Sequence, residues 1–450
     1  MAVSEANLLA ARYQMAISLG FHIILAALGI GFPLITLIAH TRGIRRQDPD
    51  ALMLAKRWSK VMAVLFAVGA VSGTILSFEM GMLWPGMMGP FGDVIGLPFT
   101  LEGISFFLEA IFLAIYLYGW KHLSARVHYL TLFPIVLAGV TGSFFIVSVN
   151  GWMNSPAGFA IAGDSSIINV DPWGAMFNAS AGVQYVHMLL AAYMVSGFLV
   201  ASVYAVGWLK GRHDHLHRLG FAIPFVLAAL AAPLQVLVGD VATRHLIDSQ
   251  PGKFAAIELL PETMARAPLT LGGALVDGEV RGAVEIPGLA SWLGTRDVNG
   301  VVPGLDSVAP DERTPAVNLV HWTFQLMVGI GTGLLALGVW YAWAWWRRRD
   351  LPRNKWFWRF SALAGIGAVA AMELGWITTE VGRQPWIVQG LLRTSDAVSN
   401  ADGIVITATI ISIVYLALSV ITIAALRWIA ARFAAGEVVP APYGPPEKVR

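Results

Sequence analysis

GWITTEVGRQPW, residues 375–386, is the most informative stretch of this chain. It closes an apolar run, residues 360–377, that is long enough to cross a bilayer at about 1.5 Å per residue. Pro385 ends the helix soon after Glu380, so the charged cluster is expected at the membrane edge. Because ionisable groups at membrane depth usually face a protein interior, Glu380 is predicted to be a ligand or proton acceptor inside a helix bundle. An interfacial belt, with a Trp386 anchor and a snorkelling Arg383, is the alternative for those two residues.

The composition places the whole chain in a membrane. It has 450 residues, of which 56% are hydrophobic and only 13% charged, whereas soluble domains carry about 25% charged residues. The absence of cysteine excludes disulfides and thiolate metal sites. No phosphate-binding loop and no basic tract for nucleic acid is present, and the first residues do not resemble a cleaved signal peptide.

Nine apolar runs of spanning length predict an all-α, polytopic bundle of nine transmembrane helices. The runs are 13–39, 59–78, 99–119, 129–149, 183–208, 219–238, 318–345, 360–379 and 404–431. Alternate connections are basic (40–58, 120–128, 209–218 and 346–359), whereas those at 80–98 and 150–182 contain no Lys or Arg. The positive-inside rule then places the N-terminus outside and the C-terminus in the cytoplasm.

These runs divide the chain into four parts. Residues 1–238 hold helices 1–6, 239–317 form one long extracytoplasmic connection, 318–432 hold helices 7–9, and 433–450 form a cytoplasmic tail. The connection is rich in Gly, Pro and charged residues. Long loops outside compact bundles are often functional, and a disordered linker is the alternative.

Unusual polar side chains recur at one level of the predicted bundle. With the N-terminus outside, they all fall in the outer half of the bilayer, and they are His22, Glu79, Glu102, His187, Met327 and Glu380. Haem ligation needs such a set, because haem iron takes axial His, and Met paired with His suits an electron-transfer haem. Taken singly, each His or Met is more often a packed core residue. His321 lies on a different helix face from Met327, and we interpret it as interfacial.

Two carboxylates share one face of the third helix. Glu102 and Glu109 are seven residues apart, which is two turns, or about 10 Å along the axis. Buried carboxylates on one face indicate steps of a proton path, and pairing with a neighbouring Lys or Arg is the alternative. Glu373 and Glu380 repeat this spacing, but no partner can be named for Glu373.

The chain resembles subunit I of cytochrome bd-type quinol oxidases, from its first span to its ninth. GRQPW in its context is the most specific element of the resemblance. The other elements are Glu102-Gly103 with 106–109 (FFLE), residues 151–154 (GWMN), Gln250-Pro251-x-Lys253 with 255–258 (AAIE), 392–394 (LRT) and 396–399 (DAVS).

The resemblance implies a low-spin haem b, a high-spin haem b and a haem d. His187 and Met327 match the axial ligands of the low-spin haem. His22 and Glu380 match ligands of the high-spin pair, with His22 assigned to haem d and Glu380 to the second haem b, although the sequence leaves that exchange open. Arg383 is placed to offset haem propionate charge, and Trp376 is expected in the same cofactor pocket.

The resemblance also implies an enzyme that oxidises quinol and reduces dioxygen to water. Lys253 and Glu258 match quinol-binding residues of the long connection, which this family calls the Q-loop and which is of the short form here. Protons would come from the cytoplasm past Glu109 and Glu102, which generates proton motive force without a pump. Gln325 stands where Arg is expected, so the potential of the low-spin haem should be lower, or the quinone preference shifted.

A second large membrane subunit is implied as a partner, with small single-span subunits also possible, in the bacterial cytoplasmic (inner) membrane. A secondary transporter or ion channel is an alternative that explains Glu102, Glu109 and Glu380. It gives no role to the His187 and Met327 pair, nor to Lys253 and Glu258. A third interpretation keeps the haems and changes the electron donor, which Gln325 leaves open.

Overall fold

The computed structural model describes residues 5–434, and within them nine helices are long and apolar enough to cross a membrane. The prediction of an all-α bundle with nine membrane-crossing helices is therefore confirmed. The helices in chain order are α1 (Glu5–Arg46), α2 (Pro49–Leu83), α3 (Pro85–Gly119), α4 (Ala125–Leu130), α5 (Leu132–Asn154), α6 (Pro172–Met176), α7 (Ala181–Leu209), α8 (His215–Ser249), α9 (Pro251–Glu258), α10 (Leu289–Thr295), α11 (Val317–Arg348), α12 (Lys355–Gly382), α13 (Thr394–Ala397) and α14 (Ile404–Ala434). Short α4 and α5 together make the fourth crossing. The predicted cytoplasmic tail spans residues 433–450, and its residues 435–450 lie outside the part of the chain that the structure describes.

Local sequence signals explain where several long helices begin. Asp48 accepts from the backbone N–H of Ala51 at the start of α2, and Asp214 accepts from that of His217 at the start of α8. Asn354 does the same for Trp356 in α12. Such side-chain caps satisfy backbone donors that have no partner inside the helix.

Four of the long helices form a closed ring. α7 packs against α8 and α12, and α11 packs against the same two helices, so α7 and α11 occupy opposite corners. Helix α1 packs against α2, α7 and α14, while α3 packs against α2 and α5. A large buried cluster with Phe198, Phe225 and Phe357 joins the ring to α1 and α2.

The connection between α8 and α11 is a folded unit. Helix α8 continues to Ser249, eleven residues beyond the predicted end of its apolar run, because polar residues replace apolar ones without a helix breaker until Pro251.

The strands of the whole chain are short. They are β1 (Ala160–Ile161), β2 (Ile167–Ile168), β3 (Met264–Ala265), β4 (Leu269–Val276), β5 (Glu279–Ile286), β6 (Val301–Val302), β7 (Trp386–Val388) and β8 (Leu392–Arg393). Antiparallel pairs join β1 to β2, β3 to β6, β4 to β5 and β7 to β8. Within the connection between α8 and α11, Phe254, Leu260 and Leu305 belong to a small hydrophobic core.

Candidate functional site

The ring of α7, α8, α11 and α12 holds two of the predicted ligands at opposite corners. His187 lies on α7 and Met327 on α11, and both side chains are half-buried. The side-chain amide of Gln235, on α8, donates to Nε2 of His187 over 3.1 Å, so this nitrogen is unprotonated and its lone pair accepts the bond from Gln235. A metal binds the unprotonated nitrogen of a neutral imidazole, so iron at Nε2 would replace the hydrogen bond from Gln235.

Glycines of neighbouring helices leave room beside each of three predicted ligands. A Cβ on Gly375 of α12 would lie 2.6 Å from the sulfur of Met327, and one on Gly239 of α8 would lie 3.4 Å from His187 Cε1. A Cβ on Gly73 would lie 3.1 Å from His22 Cε1. A larger residue at Gly375 or Gly73 would crowd Met327 or His22, whereas the distance at Gly239 is an ordinary contact, so these glycines let the neighbouring helices approach the predicted ligands closely.

His22 has one ring nitrogen committed and one available. Its Nδ1 lies 2.8 Å from the hydroxyl of Ser72, on α2. That hydroxyl donates its only proton to the carbonyl of Gly69 over 3.0 Å, so it must accept from Nδ1–H of His22. The lone pair is therefore on Nε2. An imidazole fixed by a hydrogen bond on Nδ1 is the usual support for a metal bound at Nε2.

Glu380 lies in a hydrogen-bonded group at the end of α12. The amide of Asn150, at the end of α5, donates to Oε1 over 2.7 Å, and Arg383 donates to Oε2. Arg383 is only 3% exposed, and its Nε and Nη1 have no hydrogen-bond partner among the described residues. Buried guanidinium N–H groups of this kind are suited to an anionic group such as a carboxylate. Trp376, one turn earlier on α12, is half-buried at the edge of the main core.

A chain of hydrogen bonds connects α9 to this group. The side chains of Gln250 and Lys253 donate to Oδ1 of Asn154 over 2.6 and 3.3 Å. Asn154 donates to Oδ1 of Asn150 over 3.1 Å, and Asn150 donates in turn to Glu380. Lys253 therefore lies beneath the connection and against the Glu380 group, not at an open surface.

Burial changes the acidity of both predicted quinol-binding residues on α9. Lys253 and Glu258 are each 4% exposed. Desolvation and, to a smaller extent, the charge of Arg383 lower the pKa of Lys253, Glu380 opposes the shift, and the net pKa is about 7. Desolvation raises the pKa of Glu258 to about 7, and its Oε2 has no hydrogen-bond partner in the described part of the chain. Such a carboxyl can exchange a proton near neutral pH.

The predicted proton-path carboxylates lie on α3. Glu102 and Glu109 are half-buried, and between them Ser105 lies within 3.3 Å of the Thr141 hydroxyl of α5. The three α3 side chains follow one another at intervals of three and four residues, so they share a face. Within the described part of the chain, Glu380 is hydrogen-bonded to Asn150 and Arg383 and not to Glu102 or Glu109, so the α3 carboxylates form a separate group.

The structure also contains polar residues that the sequence analysis missed. Asn150, Gln235 and Ser72 each support a predicted ligand by a direct hydrogen bond. Their signal was available, since each is a polar residue within or at the end of an apolar run, but its partner depends on helix packing. Glu79 is 1% exposed and accepts from Gln14 and Ser18 of α1 over 3.0 and 2.9 Å, which gives it a bonded place in the core.

These donor sets fit haem binding. Imidazole, thioether and carboxylate are all axial-ligand types or anionic oxygen ligands. Nε2 of His22 has an available lone pair, whereas that of His187 accepts from Gln235. The unsatisfied guanidinium of Arg383 and the glycines beside the ligands are consistent with a large, acid-bearing macrocycle.

The chain is similar to known proteins along most of its length. The profile of the family described as "Cytochrome bd terminal oxidase subunit I" matches residues 10–433. The chain is 34% identical over 418 residues to a putative cytochrome bd menaquinol oxidase subunit I of Bacillus subtilis (strain 168), covering 91% of this chain and 93% of that protein. It is 29% identical over 409 residues to the cytochrome bd ubiquinol oxidase subunit 1 of the same strain, covering 87% and 86%. The bd oxidase structure from Geobacillus thermodenitrificans superposes with a TM-score of 0.88 at 35% identity, covering 95% and 98% of the two chains.

Proposed function

Because the chain belongs to the cytochrome bd terminal oxidase subunit I family, a family of respiratory quinol oxidases in the membrane, we propose that it oxidises quinol at the outer face and reduces dioxygen to water with cytoplasmic protons. The family implies haem cofactors, a quinol substrate and a second oxidase subunit. The steps below assign this chemistry to residues.

His187 and Met327 would hold the low-spin haem b, His22 the haem d, and Glu380 the high-spin haem b. The haems supply electron transfer and the reduction of dioxygen. Ser72 orients the imidazole of His22 and Asn150 orients the carboxylate of Glu380, while iron at Nε2 of His187 would replace the hydrogen bond from Gln235. Arg383 offsets the negative charge of propionates with its two unsatisfied nitrogens, and Trp376 packs in the same pocket.

Glu258 accepts a proton from the quinol hydroxyl during oxidation. Its pKa of about 7 supports this role, since the carboxylate is present at neutral pH and is basic enough to take the proton. The connection at 239–317 is on the outer side in the proposed orientation, so the proton leaves outside. Lys253 contributes from below by holding Asn154, through which α9 is joined to Glu380.

Glu109, Ser105 and Glu102 carry protons from the cytoplasmic side. Their shared face on α3 supports a route of short steps past the Ser105 and Thr141 hydroxyls. Proton release outside and uptake inside separate charge, so the reaction is electrogenic without a pump.

The active enzyme is a complex in a bacterial cytoplasmic membrane. This chain forms the large haem-binding subunit, and a second large subunit, subunit II, completes it. Small single-span subunits are further partners in the proposed assembly.

The observation that carries the proposal is the position of His187 and Met327 at opposite corners of one four-helix ring. The test is an optical spectrum and pigment extraction on the purified complex, with Glu258→Gln as the kinetic variant. We expect protohaem and a chlorin together, and a Glu258→Gln enzyme that keeps all haems but oxidises quinol more slowly or with a higher KM. A colourless preparation would refute the oxidase and favour a transporter. Loss of haem in Glu258→Gln would show a structural role for that residue.

A further inference from the structure

One face of α11 carries three polar side chains that bind the backbone of β4. Asn318 accepts from the N–H of Leu275 over 2.7 Å and donates to its carbonyl over 3.0 Å. His321 lies 3.0 Å from the carbonyl of Gly272 through Nε2, and Gln325 donates to that of Thr270 over 2.8 Å. Spacings of three and four residues place the three side chains in a stripe along the helix. We call Asn318, His321 and Gln325 the α11 stripe.

A pair of glycines explains why a helix can bind this strand edge. Backbone groups on one side of a strand come from alternate residues, so Thr270 and Gly272 are in phase with each other and Leu275 is not. Gly272 and Gly273 both have positive φ, at 66° and 84°, and the pairing skips Gly273 on β4 and Gly282 on β5 while keeping the same register on both sides. These φ values, which glycine adopts readily, interrupt the regular alternation of β4, so that backbone groups of Thr270, Gly272 and Leu275 can all face α11.

His321 also fastens α9. Its Nδ1 lies 2.7 Å from the carbonyl of Ile257, the residue before Glu258 and part of the last turn of α9. That carbonyl is one of those left unpaired by the end of a helix. The ring is fully buried, at 0% exposure, and contacts both α9 and β4. Both carbonyls can only accept, so a neutral ring donates to one of them, and the ring donates to both only when both nitrogens carry a proton. The earlier interpretation of His321 as an interfacial residue is therefore wrong.

The rest of α11 does not need polar residues at this level. Trp322 and Leu326, each one residue after a stripe residue, are 43% and 48% exposed, as expected for a surface toward lipid. Burying a polar side chain of a membrane helix costs free energy unless it is hydrogen-bonded. The backbone of β4 and α9 supplies those hydrogen bonds for the α11 stripe.

We propose that the α11 stripe positions the Glu258 end of α9 and the β4–β5 hairpin for quinol oxidation, by holding both against α11. The proposal rests on the proposed function for the identity of the substrate site. The three residues act through Glu258 and the hairpin, so they are positioning residues. Gln325 stands where the family resemblance leads us to expect an arginine. Its proposed role is to hold β4 through Thr270, which is separate from the effect of the missing positive charge.

The test compares variants of the stripe in the purified, haem-loaded complex. Gln325→Met and His321→Phe remove the donors with little change in volume. Thr332→Val is the control, because its exposed hydroxyl bonds only within α11, to the carbonyl of Val328. Hydrogen exchange of residues 269–286, KM and kcat for a soluble quinol, and the haem spectrum are measured together.

We expect exchange of the hairpin to rise about tenfold for each lost hydrogen bond, and the quinol KM to rise with kcat and haem spectrum unchanged. Thr332→Val should match the wild type. Unchanged exchange in Gln325→Met would overturn the proposal, and so would faster exchange with an unchanged KM. Gln325→Met also covers the case in which His321→Phe does not fold. If Glu258→Gln leaves quinol kinetics intact, the proposed function fails; if it impairs them and the stripe variants do not, only this inference fails.

Discussion

Replacement of Gly375 by alanine tests the placement of the Met327 thioether. The new Cβ would lie 2.6 Å from the Met327 sulfur, whereas ordinary van der Waals contact begins at 3.4 Å. The sulfur or helix α12 must therefore move until the two atoms reach that contact distance. The bond proposed between the Met327 sulfur and the iron of the low-spin haem would not tolerate a displacement of that size. Overpacking of this kind costs about 1–3 kcal/mol, whereas Gly→Ala within a helix otherwise stabilises by about 0.5–1 kcal/mol. The cost of the clash therefore offsets the gain in the free energy of unfolding from alanine in the helix. We expect the clash to be relieved by movement of the Met327 sulfur, which would break the proposed ligation.

The assay is a redox-difference spectrum of the purified complex with a titration of the low-spin haem. We expect Gly375→Ala to lose or convert the low-spin signal and to lower its potential, with quinol oxidation reduced in proportion. Gly367→Ala is the matched control on the same helix, because its Cβ would lie 3.4 Å from Ile330 Cγ2, at an ordinary contact distance. An unchanged low-spin spectrum in Gly375→Ala would refute the assignment of Met327, and an equal loss in both variants would point to α12 packing instead.

Three further outcomes follow from the site. Ser72→Ala should leave Nδ1 of His22 without its acceptor, at a cost of about 1–3 kcal/mol, and shift the potential of one high-spin haem in a redox titration; an unchanged potential would contradict the His22 assignment. Glu258 must be deprotonated to accept a proton and burial raises its pKa to about 7, so kcat/KM for quinol should rise as pH increases through about 7, and this limb should be missing in Glu258→Gln. Arg383→Lys keeps a charge but not the fork of donors, so pigment extraction should find less high-spin haem than in the wild type, and full haem content would argue against a propionate partner.

The sequence was sufficient to predict the helices. Runs of spanning length mark all nine crossings, since an apolar stretch of that length has few alternatives in a chain of this composition. The resemblance carried His187, Met327, His22 and Glu380, and each lies where neighbouring helices leave space or hydrogen bonds for it. Whether they bind haem stays a prediction.

Partners across helices could not be predicted from the sequence. Asn150 and Ser72 are ordinary polar residues until α5 and α2 are packed, because a hydrogen bond between helices depends on their rotation and not on local pattern. Lys253 was expected beside quinol, yet its amine reaches Asn154. The hairpin between 269 and 286 was equally hidden, since its glycines indicate flexibility or a bulge with equal force.

Helix α11 carries Met327 and the α11 stripe on one rigid rod. Asn318 and Met327 are nine residues apart, about 14 Å along the axis, so a movement of α11 as a whole shifts the β4–β5 hairpin and the Met327 sulfur together. Loss of one stripe hydrogen bond frees the hairpin and leaves the sulfur in place. In the proposed enzyme, the spectrum and potential of the low-spin haem would therefore report movements of α11 itself.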